Sequence, residues 1–269
     1  MAATQFAWPE TEELVFVRPP VEEYHGHLDC YYDPDLFPEL APLKENWKAI
    51  RDEILDFEKR NGPLSGMSAV SQAETYGGNW TLIYLMSFSR IIHKNKAKFP
   101  VISSVLDKIP NAVFAAISIL PPHTEMAPHF GDTNGIIRTH LGLIIPAPHP
   151  TIAIKVVDEE RGWREGELLC FINVQKHHVW NRSSERRYIL MVDFVPKILQ
   201  HRQREICAKG LGSQSFIYFY HRLTLVRAMP AFIHSFMCWS FTLIWRIFLP
   251  FQRRFSFLGL GGNNTASGK

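Results

Sequence analysis

Two histidines and an arginine in the middle of the sequence are residue types that can bind a metal ion and an anion. His129 begins the stretch HFGDTNGIIRTH, and Arg138 and His140 lie at its end. A first-row transition metal with open coordination positions is commonly held by two histidines and one carboxylate. The residue two places after His129 is Gly131, which offers no carboxylate. The stretch is therefore either a metal site with one protein ligand fewer or a set of structural histidines.

The side chains of a strand alternate between its two faces, so alternation shows which polar residues can share a pocket. Arg138 and His140 lie on one face of the strand expected at 135–145, and Arg187 begins the strand expected at 187–195. Each strand has a face that is largely apolar with one or two polar groups, as a pocket for a small anion requires. Arg187 can bind a carboxylate through two nitrogens. A lone buried histidine or strand arginine is more often structural, so spacing alone leaves both interpretations open.

The elements that must position these residues change character near residue 113. Before it, apolar spacing predicts helices at 41–62 and 99–111 and a strand at 79–88. After it, short apolar runs separated by proline, glycine and histidine turns predict further strands. These lie at 113–120, 135–145, 151–157, 167–173 and 187–195. Several short strands at this spacing are typical of a β-sandwich or barrel, and a jelly roll would place polar residues between two sheets.

Length and composition allow one sizeable domain with an appendage. The chain has 269 residues, of which 46% are hydrophobic and 20% are charged. We divide it into an N-terminal arm (1–40), a domain at 41–205 with its jelly-roll core at about 113–197, and a tail at 206–269. The formal net charge of +3 is small, and no nucleic-acid partner is expected.

The tail is apolar, aromatic and basic. After Glu205 the remaining 64 positions contain seven basic residues and no acidic one, and residues 231–245 carry no formal charge. Three interpretations stay open: a membrane-spanning segment, a helix lying in the membrane interface, or a helix packed on the domain or on a partner subunit. We expect membrane association through 228–254, with the basic flanks and the main domain on the cytoplasmic side. A cytoplasmic protein is the alternative.

The four cysteines, Cys30, Cys170, Cys207 and Cys238, are far apart and form no CxxC pair. This argues against a disulfide framework and against a zinc knuckle, and it favours a reducing compartment. The first residues, MAATQFAWPETEELVF, contain no basic region and no apolar core. No signal peptide is therefore predicted.

Two blocks of sequence resemble a known family. Residues 128–143 (PHFGDTNGIIRTHLGL) and 162–195 (GWREGELLCFINVQKHHVWNRSSERRYILMVDFV) are similar to the aspartyl/asparaginyl β-hydroxylases, and weaker similarity extends over about 45–195. These proteins are Fe(II)- and 2-oxoglutarate-dependent dioxygenases. The resemblance implies a mainly β (α+β) fold, a double-stranded β-helix of the jelly-roll, cupin-like kind. Flanking N-terminal helices and a hydrophobic C-terminal helical tail would complete it.

The resemblance also implies roles for individual residues. His129 and His177 match the two iron ligands, with 2-oxoglutarate and O2 as cosubstrates. Arg187 matches the arginine that binds the far carboxylate of 2-oxoglutarate, and Ser118 would assist it. His140 matches a histidine that contacts the cosubstrate.

Further positions concern the iron and the substrate. His178 is the rival of His177, but strand alternation sends the two to opposite faces, so only one points inward. The branch of the family that hydroxylates Asp/Asn in proteins resembles this chain in having glycine at the position of Gly131. Water would then occupy the iron coordination position that a carboxylate would otherwise take. Asp132 can bind iron directly or through water, although a role in the turn is the simpler interpretation. Arg138 matches a residue that holds the acidic side chain of a peptide substrate.

The activity implied is hydroxylation of an unactivated C–H bond coupled to oxidative decarboxylation of 2-oxoglutarate. The expected target is the β-carbon of an Asp/Asn-type residue in a protein, a peptide or a carrier-bound amino acid. The alternative is the acyl chain of a membrane lipid, of the lipid A or ornithine-lipid type, which the apolar tail favours. A second alternative is a non-catalytic, membrane-tethered binding protein on the same fold, which the missing carboxylate favours.

Overall fold

The computed structural model describes residues 6–17, 23–64 and 80–252. The strands are β1 (Tyr31–Tyr32), β2 (Thr81–Ser87), β3 (Arg90–Ile91), β4 (Ala112–Leu120), β5 (Thr124–His129), β6 (Ile137–Ile144), β7 (Ile152–Val156), β8 (Glu159–Arg161), β9 (Leu168–Phe171), β10 (His177–Asn181) and β11 (Arg187–Phe194). The helices are α1 (Ala41–Glu45), α2 (Trp47–Asn61), α3 (His93–Lys96), α4 (Pro100–Leu106), α5 (Gln203–Arg222), α6 (Thr224–Arg227) and α7 (Ala231–Gln252). Parts of the predicted N-terminal arm (1–5 and 18–22) and the end of the predicted tail (253–269) lie outside the described residues.

Two antiparallel sheets face each other and form what we call the β-domain. The larger sheet has the strand order β1-β9-β6-β11-β4-β2-β3, and the smaller has the order β5-β10-β7-β8. Strand β11 lies in the middle of the larger sheet, between β6 and β4. Strand β10 lies between β5 and β7 in the smaller sheet. The jelly-roll, cupin-like fold predicted from the sequence is confirmed.

The two faces of the larger sheet bury different sets of apolar side chains. In β11, Leu190 and Val192 pack with the N-terminal helices, whereas Ile189 and Met191 pack between the two sheets. A strand that is buried on both sides reads as a nearly continuous apolar run, and RYILMVDF has this composition. A polar side chain on such a strand is costly unless it has a partner, so Arg187 needs a specific explanation.

Predicted and observed elements differ at several places, among them the following two. The helix expected at 41–62 is divided into α1 and α2 at Asn46, whose backbone leaves helical geometry (φ −108°, ψ 11°). The side-chain amide of Asn46 donates to the carbonyl of Pro42 at 2.7 Å. Strands β5 and β10 are absent from the sequence-based prediction, because TEMAPH and HHVWN contain few of the β-branched residues that indicate a strand.

The first of the C-terminal helices is packed on the β-domain. Helix α5 buries Ile206, Cys207 and Leu211 in an apolar cluster with Val113 and Val195. We call this the α5 cluster. Its first residue from α5, Ile206, lies one residue after 205, where the domain boundary is expected. The division into domain and tail stays a prediction, but a chain ended at 205 would expose these apolar side chains on the β-domain.

Helix α7 returns antiparallel along α5, and we call residues 203–252 the C-terminal hairpin. The rings of Phe219 and Phe241 stack at a centroid distance of 5.5 Å. The indole Nε1 of Trp245 donates to Ser215 Oγ at 2.9 Å. Gly212 allows this close approach, because a Cβ atom there would lie 2.9 Å from the backbone nitrogen of Thr242.

Candidate active site

A pocket opens between the two sheets and gathers most of the polar residues that the sequence singled out. Six of its lining side chains are apolar or aromatic, and six are polar or ionisable. The lining residues are Trp80, Ser118, Met126, His129, Arg138, His140, Phe171, His177, Val179, Arg187, Ile189 and Met191.

Two histidines face each other at the edge of this pocket. His129 ends β5 and His177 begins β10, where the two residues are register partners. Their ring centroids are 4.2 Å apart. His129 Nδ1 donates to the carbonyl of Ala127 at 2.9 Å, and His177 Nδ1 donates to the carbonyl of Gln175 at 2.8 Å. A carbonyl can only accept, so each ring carries its proton on Nδ1 and its lone pair on Nε2, the arrangement seen in metal-binding histidines.

Burial keeps both imidazoles in the neutral form. It lowers the pKa of His129 to about 4. Burial, reinforced by the neighbouring His129 ring, lowers the pKa of His177 well below its usual value. Both rings are therefore uncharged at neutral pH, which is the state that binds a metal ion.

Within the described part of the chain, Arg187 is a buried cation without a carboxylate partner. It is the first residue of β11 and only 2% exposed, and its Nε and Nη1 atoms have no hydrogen-bond partner among the described residues. Its guanidinium lies over the ring of Trp163, with Cζ 4.9 Å from the ring centroid. Burial lowers the pKa of Arg187 to about 9, so it remains charged at neutral pH. An unpaired buried charge is strongly unfavourable, and a bound carboxylate would relieve the cost.

Ser118 and His140 lie beside Arg187. Ser118 Oγ accepts from the indole of Trp80 at 2.8 Å, which leaves its own hydroxyl proton available to a ligand. His140 is buried, and neither of its ring nitrogens has a hydrogen-bond partner in residues 6–17, 23–64 and 80–252. Its ring stacks on Trp163 at 5.8 Å. Burial lowers the pKa of His140 well below its usual value, so it adds a neutral donor and acceptor to the pocket.

Arg138 differs from Arg187 because it has an internal partner. Its Nε and Nη2 atoms donate to the two carboxylate oxygens of Asp193 at 2.8 and 2.7 Å. Both residues are buried, and this fork-to-fork geometry is the strongest form of arginine–carboxylate contact. Nη1 is the guanidinium nitrogen that Asp193 does not engage.

The two alternative ligand positions lie elsewhere. His178 faces outward, where its Nε2 is 2.9 Å from Glu125 Oε1 and its ring packs on Trp180. His177, not His178, therefore lines the pocket. Asp132 is not among the lining residues; its carboxyl is hydrogen-bonded to Gln214 of α5, and burial raises its pKa while the nearby Arg138 opposes the shift.

The space beside Gly131 is occupied by Asn173. A Cβ atom at Gly131 would lie 2.5 Å from Asn173 Cγ and 2.6 Å from its backbone oxygen. The amide of Gly131 also donates to that oxygen at 2.7 Å. A carboxylate side chain at 131 therefore has no room. Across residues 6–17, 23–64 and 80–252, no group of three or more His, Cys, Asp or Glu side chains converges as metal ligands would.

Several residues in or beside the pocket were outside the sequence-based prediction. Trp80 and Trp163 support Ser118 and Arg187, and Asn173 occupies the space beside Gly131. The two tryptophans lie at the end of a predicted strand and in a predicted turn, where a large aromatic residue is a weak signal for a buried role. Asn173 gave no sequence signal, because only its contact with the glycine reveals its place.

The fold and the pocket define a jelly-roll protein with a two-histidine site and an unpaired arginine between its sheets. Residues 44–196, more than half of the chain, match the family described as Aspartyl/Asparaginyl beta-hydroxylase. The chain belongs to this family. Because it is a family of hydroxylases, this membership supports the prediction that the protein is an enzyme.

Individual relatives carry different names. The chain is 31% identical over 195 residues to the ornithine lipid ester-linked acyl 2-hydroxylase of Rhizobium tropici, covering 70% of this chain and 66% of that protein. It is 31% identical over 175 residues to the human aspartyl/asparaginyl beta-hydroxylase, covering 63% of this chain and 23% of that protein. A Pseudomonas putida prolyl-4-hydroxylase structure matches 57% of this chain and 88% of its own at 14% identity, with a TM-score of 0.36. That structural similarity is too partial to indicate function.

Proposed function

We propose that the protein is an Fe(II)- and 2-oxoglutarate-dependent hydroxylase. The observation that carries the proposal is the unpaired Arg187 guanidinium in the same pocket as the neutral pair His129 and His177. A pair of imidazoles fits a divalent metal, and an unpartnered buried guanidinium fits a carboxylate. The cosubstrate 2-oxoglutarate has a carboxylate at each end, so one molecule can satisfy both halves of the pocket.

The residues of the chain would divide the work as follows. His129 and His177 would hold Fe(II), which when bound with 2-oxoglutarate and O2 supplies the oxidising chemistry. Arg187 would bind the far carboxylate of 2-oxoglutarate through two nitrogens, with the Ser118 hydroxyl as a further donor. His140, whose nitrogens lack partners, would orient the same molecule. No side chain occupies position 131, and a water molecule would take the third place.

The walls of the pocket would exclude water from the reaction. Met126, Phe171, Val179, Ile189 and Met191 line it between the sheets. Their apolar side chains leave few groups that can hold solvent, which strengthens the attraction between Arg187 and a carboxylate. An excluded site of this kind also protects reactive species from side reactions.

The first candidate substrate is the β-carbon of an Asp/Asn-type residue in a protein, a peptide or a carrier-bound amino acid. Arg138 supports it, because it lines the pocket and keeps Nη1 outside its pair with Asp193. A substrate carboxylate would bind at that nitrogen.

The second candidate substrate is the acyl chain of a membrane lipid, of the lipid A or ornithine-lipid type. The C-terminal hairpin favours it, because α7 is long and apolar enough to reach into a membrane and exposes large side chains such as Phe232. The internal pairing of Arg138 also lowers its capacity for an acidic side chain. With this second candidate we also propose membrane association through 228–254, with the β-domain on the cytoplasmic side. A cytoplasmic protein that does not associate with a membrane is the alternative.

Iron-dependent turnover of 2-oxoglutarate tests the proposal. We expect the full chain to form succinate only when Fe(II), 2-oxoglutarate and O2 are all present, and His129→Ala and His177→Ala to abolish it. His178→Ala is the matched control and should retain turnover, because His178 faces outward. Folded protein that forms no succinate with any substrate class would favour the non-catalytic binding protein.

The two substrate classes separate in the same assay. Stimulation of succinate formation by an Asp-containing peptide, lost in Arg138→Met, would support the first candidate. Stimulation by ornithine lipid or lipid A in mixed micelles, without stimulation by peptide, would support the second.

A further inference from the structure

One face of α7 is a solvent-exposed row of large apolar side chains. Phe232, Phe236, Trp239, Leu243 and Ile247 follow one another at spacings of three or four residues, which places them on one side of the helix. Their exposed fractions range from 43% for Leu243 to 72% for Phe232. We call this row the apolar stripe. A monomeric soluble surface rarely exposes a contiguous row of this kind, so the stripe indicates a binding surface.

The opposite face of α7 is held by the rest of the protein. Near the start of the helix, the ring of His234 packs 5.2 Å from that of Phe216. Near its end, Trp245 donates to Ser215, and Trp245 and Leu249 join the α5 cluster on the β-domain. The helix is therefore fixed along most of its length.

This packing determines how α7 can meet a bilayer. Its 22 residues span about 33 Å, close to the hydrocarbon thickness of about 30 Å. Crossing would carry α5 and the adjoining part of the β-domain into the hydrocarbon. Near its start α5 holds an ion-pair network of Arg202, Glu205 and Lys209, and charges at that depth are costly. With the hairpin packed, α7 can meet a bilayer only along its side.

The charges around the stripe favour an anionic lipid surface as its partner. Helical periodicity places Arg246 on the flank of the stripe, and Arg222 and Arg227 are exposed near the connection between α5 and α7. Residues 206–252 contain no acidic residue. Two copies meeting through this face would bring like charges together, whereas anionic headgroups would neutralise them.

We propose that the C-terminal hairpin is a monotopic membrane anchor. Helix α7 lies in the plane of an anionic bilayer surface with the apolar stripe at the acyl boundary, and α5 holds the β-domain on the water side. The inference rests on the membrane association proposed above and gives its mode. It does not require the oxygenase chemistry.

Cosedimentation of the full chain with lipid vesicles tests the anchor. We expect binding to vesicles of equimolar phosphatidylcholine and phosphatidylglycerol, weaker binding to phosphatidylcholine alone, and weakening of the former by salt. The double variant Phe236→Ser/Trp239→Ser should lower the partition coefficient at least about tenfold, because it removes two inserted aromatic side chains. The double variant Val101→Ser/Ile198→Ser is the control, since it removes exposed apolar side chains outside the hairpin and should leave binding unchanged.

Depth measurements distinguish lying from spanning. Spin labels are placed at Phe232→Cys or Ile247→Cys in a Cys30→Ser background, since Cys170, Cys207 and Cys238 are buried. Equal, shallow depths are expected for a helix in the membrane plane. A spanning helix would place the two labels roughly 22 Å apart along the bilayer normal.

Three results would overturn the anchor. These are unequal label depths, a folded chain that does not bind the mixed vesicles, and stripe variants that convert an oligomer to a monomer without lipid, which would assign the stripe to a second copy. Vesicle binding is measured without iron or 2-oxoglutarate, so its failure leaves the proposed hydroxylase standing. Failure of succinate formation likewise leaves the anchor standing.

Discussion

The pocket and the C-terminal hairpin depart from ordinary burial in opposite directions. The pocket buries polar atoms that have no partner in the part of the chain that the structure describes, among them Nε and Nη1 of Arg187 and both ring nitrogens of His140. The hairpin exposes apolar side chains, with Phe232 72% and Trp239 60% exposed. Burying an unpaired charge and exposing a row of aromatic rings are both unfavourable in water.

The difference between the two regions lies in the kind of partner that each one suits. The guanidinium and the neutral imidazoles of the pocket suit an anion and a metal ion, whereas the exposed aromatic rings of the hairpin suit an apolar phase. Their contacts are also separate: the pocket lies between the two sheets, and the apolar stripe lies on the far side of α7 from the β-domain. Each region can therefore be altered without the other, and the following changes use that independence.

The largest effect is expected from Arg187→Met. The affinity for 2-oxoglutarate should fall at least about 100-fold, because a bidentate charge-assisted contact is lost. The ligand-free protein should become more stable by roughly 1–3 kcal/mol, because the variant removes an unpaired buried charge. Calorimetric titration and urea unfolding measure the two quantities.

Arg186→Met is the matched control for that change. Arg186 is the neighbouring arginine but is half-buried on the other face and paired with Glu58 at 3.1 Å. The variant Arg186→Met should leave the affinity for 2-oxoglutarate unchanged. A destabilised Arg187→Met protein would show that Arg187 has a structural partner and would weaken the comparison.

Gly131→Ala is expected to cost about 1–3 kcal/mol, because the new Cβ overlaps Asn173. The double variant Gly131→Ala/Asn173→Ala should recover part of the loss but not all, since the backbone oxygen of Asn173 remains 2.6 Å away. Urea unfolding gives the free energies. Full stability of Gly131→Ala would mean that the loop adapts and that a third ligand is not excluded by space.

Acid should destabilise the metal-free protein through its buried histidines. The folded-state pKa of His140 is lowered below its unfolded value of about 6.5, so the unfolded state binds more protons as pH falls below that value. The free energy of unfolding should therefore decrease on acidification from pH 6.5, by up to about 1.4 kcal/mol per pH unit for this residue. His140→Phe should show a shallower slope in urea unfolding between pH 7 and 5. An unchanged slope would mean that His140 is protonated in the fold.

The smallest effect is expected from Gly212→Ala. The added Cβ meets Thr242 and loosens α7 from α5, at a cost of about 1 kcal/mol. Hydrogen exchange should accelerate in α7 while 2-oxoglutarate affinity stays constant. A loss of affinity would show that the two regions are coupled, for example through the contact of Gln214 with Asp132.

More of the pocket than of the elements around it could be predicted from the sequence. Strand alternation correctly separated His177 from His178, because residues one apart must face opposite sides. The break between helices at Asn46 and the strand β5 were not predicted, because each depends on local geometry that amino-acid composition does not indicate. The roles of the site residues and the domain boundaries remain predictions.

The pairing of Arg138 with Asp193 and the contact of Gly131 with Asn173 were also out of reach. Each joins residues that are distant in sequence, and only the register of the strands and the path of the loops bring them together. Separation along the chain carries no information on such contacts in a single sequence. The same holds for the course of α7: its apolar character was evident, but its docking on α5 was not among the three interpretations, which named the membrane, the domain or a partner subunit.

The most direct test is an anaerobic titration of the full chain with Fe(II) and 2-oxoglutarate, monitored by the weak visible charge-transfer band of the chelate. The account predicts a band that is lost in His177→Ala and in Arg187→Met and kept in His178→Ala. A band that survives His177→Ala, or no band from folded protein, would contradict the central claim that these residues form one iron and cosubstrate site.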